Sequence, residues 1–458
     1  MTHQAVARED GLRRELTPRQ LTMIALGGAI GTGLFLGSTI AIRIAGPAVV
    51  ATYLLGAVVA WLMTLALGQM AVRHPTAGSF GVHAEIYQGP WAGFTVRWSY
   101  WFAQTIAIGG EVVASGIYVQ RWLPGTPLWV PVVLFSVALV TVNAMHVGAF
   151  GRFEYWFAMI KVAAIVIFIL FGLAIVSGLH HANVPGRAGY APFAPLGAGA
   201  AWLALPVVMF SYLGTEIVAV TAGEAKDPGH AIPRALRTTV VRLILFYVAS
   251  MALLMALVPW REISPERSPF VRVFEMIGVR GAADVMNFVV LTAALSGINT
   301  NLYLTSRMLF SLARSGDAPA RFGRLGSRGT PLAALLASAG GMAVAAVVAK
   351  VVPGDAFVFL FGVSIFGGLY VWTQIFATHL RFLSVEGHTA PWRRFASGAG
   401  LALMLAVVVT TWWVPGLRVT LVSGVPWLAA LTLAWRFTRR PPASRGSRAT
   451  LPRASLAP

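Results

Sequence analysis

Two charged side chains stand deep in apolar sequence and are the first candidates for chemistry. Glu111 lies in Gly109-Gly110-Glu111-Val112-Val113-Ala114-Ser115-Gly116, and Lys161 in Phe157-Ala158-Met159-Ile160-Lys161-Val162-Ala163. An ionisable group is expensive at such a depth and is read first as functional. Glu111 can carry a proton or face an ammonium group; its structural alternative is a hydrogen bond to a neighbouring helix. Lys161 can exchange a proton or act as a fixed cation. Its alternative is to snorkel to the edge marked by Arg152 and Glu154.

The third candidate is backbone. The stretch Gly27–Gly37 holds five glycines, at 27, 28, 31, 33 and 37. Each glycine inside a helix costs about 0.5–1 kcal/mol relative to alanine. Close packing is one reason to carry that cost, because Gly27/Gly31 and Gly33/Gly37 keep small-xxx-small spacing. The other is a helix broken at mid-membrane that offers bare N–H and C=O groups to a ligand. A second apolar segment holds Phe210-Ser211-Tyr212-Leu213-Gly214-Thr215-Glu216, where a break at Gly214 would mirror the first. Interrupted segments at matching places in two halves of a chain point to a binding site between them. The run Ser296-Gly297-Ile298-Asn299-Thr300-Asn301 either lines a wet path or hydrogen-bonds neighbouring helices together.

The elements that position these groups are membrane helices. Hydrophobic residues make up 57% of the chain and charged residues 11%, with a mean hydropathy of +0.73; a soluble domain carries about 25% charged residues. A span needs roughly 20 apolar residues. On that basis about 12 spans are expected, near 21–42, 47–72, 91–120, 129–147, 155–178, 201–221, 240–259, 284–311, 331–352, 356–380, 396–414 and 417–436. The arginines of alternate loops place both termini in the cytoplasm. The outer loop 260–282 departs from that bias and is expected to fold as an amphipathic piece. Residues 1–18 form a polar cytoplasmic segment, and the Pro/Ser/Arg-rich tail 441–458 is expected to be disordered.

Several function classes drop out. The formal net charge of +19 is scattered between spans and at the ends, without the basic stripe of a nucleic-acid binder. Cysteine is absent, which excludes disulfides and thiolate chemistry. No phosphate-binding GxxxxGK[ST] loop, HExxH or potassium-filter motif occurs, and His180-His181 stands as a loop pair without further metal ligands. No cofactor and no enzymatic activity are expected.

Six motifs in order then carry a resemblance. They are Leu16-Thr17-Pro18-Arg19-Gln20-Leu21 leading into Gly27–Gly37, His74-Pro75-Thr76-Ala77-Gly78-Ser79-Phe80, and Gly116-Ile117-Tyr118-Val119-Gln120. Phe210–Glu216, Gly223-Glu224-Ala225-Lys226-Asp227-Pro228 running to Ala235, and Ser296–Asn301 with Ser306-Arg307-Met308-Leu309-Phe310 complete the series. Over roughly residues 15–440 the chain resembles the bacterial amino acid permeases of the amino acid–polyamine–organocation superfamily. The branch is that of the aromatic amino acid, proline, lysine and γ-aminobutyrate permeases.

The resemblance implies an all-α polytopic LeuT-type fold with two inverted five-span repeats, about 19–180 and 195–381, plus accessory helices at about 395–437, within a transporter domain of 19–440. It implies an amino acid substrate moved across the cytoplasmic membrane by alternating access. Its carboxylate would meet the backbone N–H groups of Ile30, Gly31, Thr32 and Gly33, where a half-helix N-terminus carries roughly +0.5 charge. Carbonyls near Phe210 and Ser211 would take the ammonium, Phe210 would gate the site, and Glu111, Gly214 and Asn299 would complete it. Lys161 matches a lysine that stands where a sodium ion would sit in other members. Proton coupling is therefore expected, through Lys161, Glu111 and Glu216. One departure is Gly68-Gln69-Met70, where many relatives carry glutamate at the middle position. An exchanger of the same fold and a non-transporting amino acid sensor are the alternatives; the amino acid and the oligomeric state stay open.

Overall fold

The computed structural model describes residues 26–438 except 77, 146, 179–191, 221–226, 265–266, 278–280 and 327–329. The segment 1–18, the His180-His181 pair, Gly223–Lys226 and the tail 441–458 lie outside the described residues. All regular structure among the described residues is helical. A helical turn at 26–29 is followed by a π-helix, Gly33–Gly37, and then by α1 (Ser38–Ala45) and α2 (Val49–Arg73). Next come α3 (Ser79–Gln88), α4 (Pro90–Gln120), α5 (Trp129–Met145) and α6 (Val147–Val176). The second half holds α7 (Ala198–Leu203), α8 (Leu205–Tyr212), α9 (Ile217–Val220), α10 (Pro228–Leu257), α11 (Pro269–Ile277) and α12 (Ala282–Arg314). The chain ends in α13 (Leu332–Ser338), α14 (Gly340–Val351), α15 (Ala356–Val385), α16 (Pro391–Thr410) and α17 (Arg418–Thr438).

Among the described residues, ten helical stretches are long and apolar enough to cross a membrane, and α5 adds a shorter apolar helix. The first stretch is 48 residues long, Leu26–Arg73. That is about 70 Å of helix at 1.5 Å per residue, more than one crossing. It turns at the 3-10 segment Gly46–Ala48, where Gly46 takes a φ of +59°. The loop expected to fold as an amphipathic piece does so, as a 3-10 turn at Trp260–Glu262 and the helix α11.

The centre of the bundle is α4. It packs against α12, α14 and α15, with α3, α5 and α17 around it. Small residues allow the closest of these crossings: a Cβ on Gly109 would lie 2.6 Å from the Gly341 carbonyl oxygen of α14. Membrane helices gain little from apolar burial against one another, so such backbone approach is a principal source of their packing energy.

Two short helices cap the bundle, α3 at one end and α11 at the other. At the α3 end, Tyr87 donates to Glu386 at 3.0 Å, Arg73 donates to the same carboxylate at 3.1 Å, and His74 Nε2 lies 2.8 Å from the Tyr87 hydroxyl. Burial pulls the Glu386 carboxyl upward, but the bonds from Tyr87 and Arg73 outweigh it and hold it below the ordinary carboxylate value. His83 is fully enclosed in α3. Burial pushes its imidazole down to about 4, against the opposing pull of the bond its Nε2 donates to the His74 carbonyl at 3.0 Å.

This sets a pH dependence. Above about pH 6.5, His83 is neutral in both folded and unfolded chains and its contribution is fully present. As the pH falls towards 4, the unfolded chain binds a proton that the folded chain refuses, and stability is lost. The apparent melting temperature in detergent is expected to fall between pH 6.5 and 4. His83→Gln keeps a donor without a titrating ring and should flatten that fall, read by fluorescence-monitored thermal scans across the pH series.

Candidate functional site

The first membrane helix is broken. Ile30 and Gly31 leave helical geometry between the turn at 26–29 and the π-helix. The carbonyls freed on the near side are taken up by side chains from elsewhere. Lys161 Nζ donates to the Gly27 oxygen at 2.6 Å, and the Tyr247 hydroxyl to the Ala29 oxygen at 2.9 Å. Lys161 is wholly buried in α6, so it does not snorkel. On the far side a new helix begins, and its first N–H groups have no partner within that helix.

A second break separates α8 from α9, at 213–216. Gly214 takes a φ of +104°, which a side chain would strain. The Gly214 N–H donates to Glu216 Oε2 at 2.9 Å. Glu216 is buried, and two further donors meet it: the Tyr100 hydroxyl at 3.3 Å and the Trp372 indole N–H at 3.2 Å. The carboxylate thus closes the break from behind, anchored to α4 and α15.

The two breaks touch. A Cβ on Gly214 would lie 3.0 Å from the Ala29 α-carbon, and one on Gly33 would lie 3.0 Å from both Phe210 Cδ1 and the Ser211 α-carbon. Beside this contact is a cavity of about 30 Å3. Its walls are Gly28, Ala29, Gly31 and Gly33 from the first break and Phe210, Leu213 and Gly214 from the second. Across from them stand Ala103, Gln104, Ala107 and Glu111 of α4, Asn301 of α12, and Ser364 and Gly368 of α15. Phe210 leans on Phe361 with ring centroids 4.4 Å apart. Asn301 Nδ2 donates to Glu111 Oε2 at 3.4 Å. Glu111 is also seated between two glycines, since a Cβ on Gly31 or on Gly297 would lie 3.0 or 2.8 Å from its Oε1.

Of the residues singled out from the sequence, Gly31, Gly33, Glu111, Phe210 and Gly214 come together on the cavity wall. Ile30 and Thr32 belong to the break but are buried in the packing beside it. The Ser211 hydroxyl pairs with Tyr53 at 3.1 Å, and Lys161 and Glu216 stand behind the breaks. Asn299 faces away and accepts from Asn143 Nδ2 at 2.8 Å, while Asn301 faces the cavity. Two residues on a helix are about 200° apart around its axis, so the polar run presents its asparagines to opposite sides. Sequence reasoning passed over Gln104, Ser364 and Gly368. Gln104 carries a usable signal, for it lies seven residues before Glu111 and so on the same helical face.

Chemically the cavity joins backbone donors at a helix start, suited to an anion, to a polar wall of Gln104, Glu111, Asn301 and Ser364, with an aromatic on one side. No group of three metal-ligating side chains occurs among the described residues.

The sequence matches the amino acid permease family over residues 20–440. The γ-aminobutyric acid permease of Bacillus subtilis is 41% identical over 390 residues, covering 84% of this chain and 82% of that protein. An uncharacterised amino acid permease of the same organism, YtnA, is 38% identical over 436 residues, covering 92% and 94%. The aromatic amino acid transport protein AroP of Escherichia coli K12 is 36% identical over 439 residues, covering 94% and 96%. With a broken-helix cavity at its centre and a match along nearly its whole length, the chain belongs to the amino acid permease family.

Proposed function

We propose that the protein imports an amino acid together with a proton, by alternating access, across the cytoplasmic membrane. The observation that carries this reading is the pair of helix breaks that touch each other and together line one wall of a polar cavity. In it the N–H groups of residues 31–33 receive the substrate carboxylate, and the Phe210–Ser211 carbonyls with Glu111 face the ammonium. The Ile30 N–H, expected to join them, donates instead to the Leu26 carbonyl at 2.9 Å. Phe210 closes over the bound molecule. Asn301 takes the substrate-facing place first given to Asn299, because it is the one on the cavity wall.

Lys161 supports proton rather than sodium coupling. Its ammonium group lies on the Gly27 carbonyl at 2.6 Å, where a cation completes the break. Loss of its proton would turn that charge-assisted bond into a weaker neutral one and loosen the first half-helix. Glu216 has the same relation to the second break, and Glu111 bridges the cavity to α12. Gln69, in place of the glutamate of many relatives, keeps a neutral contact with His379 Nε2 at 3.4 Å.

The 48-residue first stretch counts as two spans and α5 as one, giving twelve. Repeats of about 19–180 and 195–381 are followed by the accessory pair α16 and α17. The excess of arginines in alternate loops makes the α3 end cytoplasmic, along with both termini. The relatives' names frame the substrate class as α-amino acids and their ω-amino analogues.

Reconstituted into vesicles, the protein should accumulate its substrate in response to an inward proton gradient and lose accumulation when a protonophore is added. Uptake that instead requires internal substrate would indicate exchange. A thermal-shift panel of the amino acids and γ-aminobutyrate identifies the substrate, since a ligand that binds the native state raises its apparent stability. Lys161→Ala should abolish proton-driven uptake while leaving measurable binding; uptake with unaltered pH dependence would refute its role. Gly33→Leu should weaken substrate affinity at least about tenfold, or ~1.4 kcal/mol, because its side chain would enter the contact with Phe210 and Ser211. Isothermal titration checks this, and wild-type affinity would remove residues 31–33 from the site.

A further inference from the structure

The two cap helices share a signature. α3 opens Ser79-Phe80 with Glu85 five residues after the phenylalanine, and α11 opens after Ser268 as Pro269-Phe270 with Glu275 at the same interval. Five residues turn about 140° around a helix, so each phenylalanine and its glutamate meet different neighbours. In both caps the glutamate reaches an arginine in or just after α4, and that arginine reaches an aspartate in or just after α12. Arg97 Nη2 donates to Glu85 at 2.8 Å and to Asp317, just past the end of α12, at 3.0 Å. Arg121, the residue after α4, pairs with Glu275 through Nη1 and donates from Nε to Asp284, in the first turn of α12, at 2.8 Å.

One phenylalanine meets a broken helix directly and the other meets a residue that holds one. Phe270 packs edge-on against Phe35 of the π-helix, with centroids 5.1 Å apart. Phe80 packs edge-on against Tyr100 at 4.8 Å, and the Tyr100 hydroxyl is one of the donors that hold Glu216. Each cap therefore joins the α4–α12 pair to one broken helix. The backbone is shaped around the α3 tie as well: a Cβ on Gly93 would lie 2.6 Å from the Glu85 Cβ, and one on Gly81 would overlap Arg97. The α3 tie is the drier one, with the Arg97 side chain 3% exposed against 23% for Arg121 and 54% for Asp284.

We propose that Arg97 and Arg121 are a pair of positioning residues, each of which holds one cap helix against the α4–α12 unit and so keeps its own end of the transport path shut. The two ties oppose one another, and their balance sets which side is open. This rests on the alternating-access reading above. Removing the Arg121 tie shifts the protein towards opening at the α11 end; removing the Arg97 tie shifts it towards opening at the α3 end.

The chain has no cysteine, so a single introduced thiol reports one place. Ser79 and Ser268 are buried at the starts of the two caps, and neither hydroxyl has a hydrogen-bond partner among the described residues. Ser79→Cys and Ser268→Cys are close in size to the residues they replace. Maleimide labelling rates are measured on the full-length protein in lipid nanodiscs, where both faces are reachable. Arg121→Gln should raise labelling of Ser268→Cys about threefold, as expected for loss of a partly exposed ion pair, and lower labelling of Ser79→Cys. Arg97→Gln should do the reverse. Should that variant not fold, Arg97→Lys, which keeps the charge and loses the planar fork, gives the same reading. An increase confined to the altered end, an increase at both ends, or no change overturns the proposal, because a merely local brace would not quiet the opposite cap. The assay uses no substrate, so its failure is separate from any failure of the transport reading.

Discussion

A helix that breaks inside a bilayer must satisfy its freed backbone groups from within the protein. That constraint organises this molecule. The Gly27 and Ala29 carbonyls are met by Lys161 and Tyr247, and the Gly214 N–H by Glu216, itself held by Tyr100 and Trp372. Burying a lysine or a carboxylate in apolar surroundings without partners would be prohibitive. Here the charges and the orphaned peptide groups answer each other, so neither the breaks nor the buried charges would be tolerable alone. Under the proposed coupling, the same pairing ties protonation to backbone geometry, since a proton gained or lost at Lys161 changes a bond made directly to the broken helix.

What could be read from the sequence follows from which interactions are local. The spans are written in apolar composition, and the breaks in glycine density and in the polar run around Gly214. The depth of Lys161 was legible too; the structure buries its side chain and sets Nζ on a carbonyl 134 residues away, so it does not snorkel. Partners of that kind carry no sequence signal. Asn143 with Asn299 is one example, and Tyr53, whose carbonyl accepts from Tyr212 while its hydroxyl pairs with Ser211, is another. The choice between Asn299 and Asn301 was in principle open to helical geometry, but only once the face of α12 that meets Glu111 was known. The corner at Gly46–Ala48 was legible as well, since Gly46-Pro47 falls at the gap between the spans expected near 21–42 and 47–72.

The glycines of the first helix show how one residue type serves two demands. Packing and helix breaking were competing explanations for their density, and both operate at the same positions. Gly31 accommodates Glu111 and Gly33 accommodates Phe210 and Ser211, within the very stretch where helical geometry is lost. A broken helix is useful as a ligand site only when nothing bulky covers its peptide groups. The opposing helix can approach those groups only for the same reason. Close approach and exposed backbone are therefore two consequences of one omission, the missing Cβ.

The cavity is smaller than the substrate it is proposed to hold. By the measure in which one water needs about 10–15 Å3, a space of about 30 Å3 holds two or three waters. An amino acid with its carboxylate, ammonium and side chain is larger, so its wall must move to admit it. The α4 side is poorly suited to moving, being the centre of the bundle and locked to α14 through glycine backbone contact. The opposite wall is built from short helical pieces, α8, α9 and the π-helix, joined by non-helical residues and a positive-φ glycine. Compliance is concentrated on the side where Phe210 and Leu213 stand, and stiffness on the side where Glu111 and Gln104 present their polar groups. Under the proposed mechanism, the fixed wall sets the chemistry of recognition and the hinged wall sets access to it.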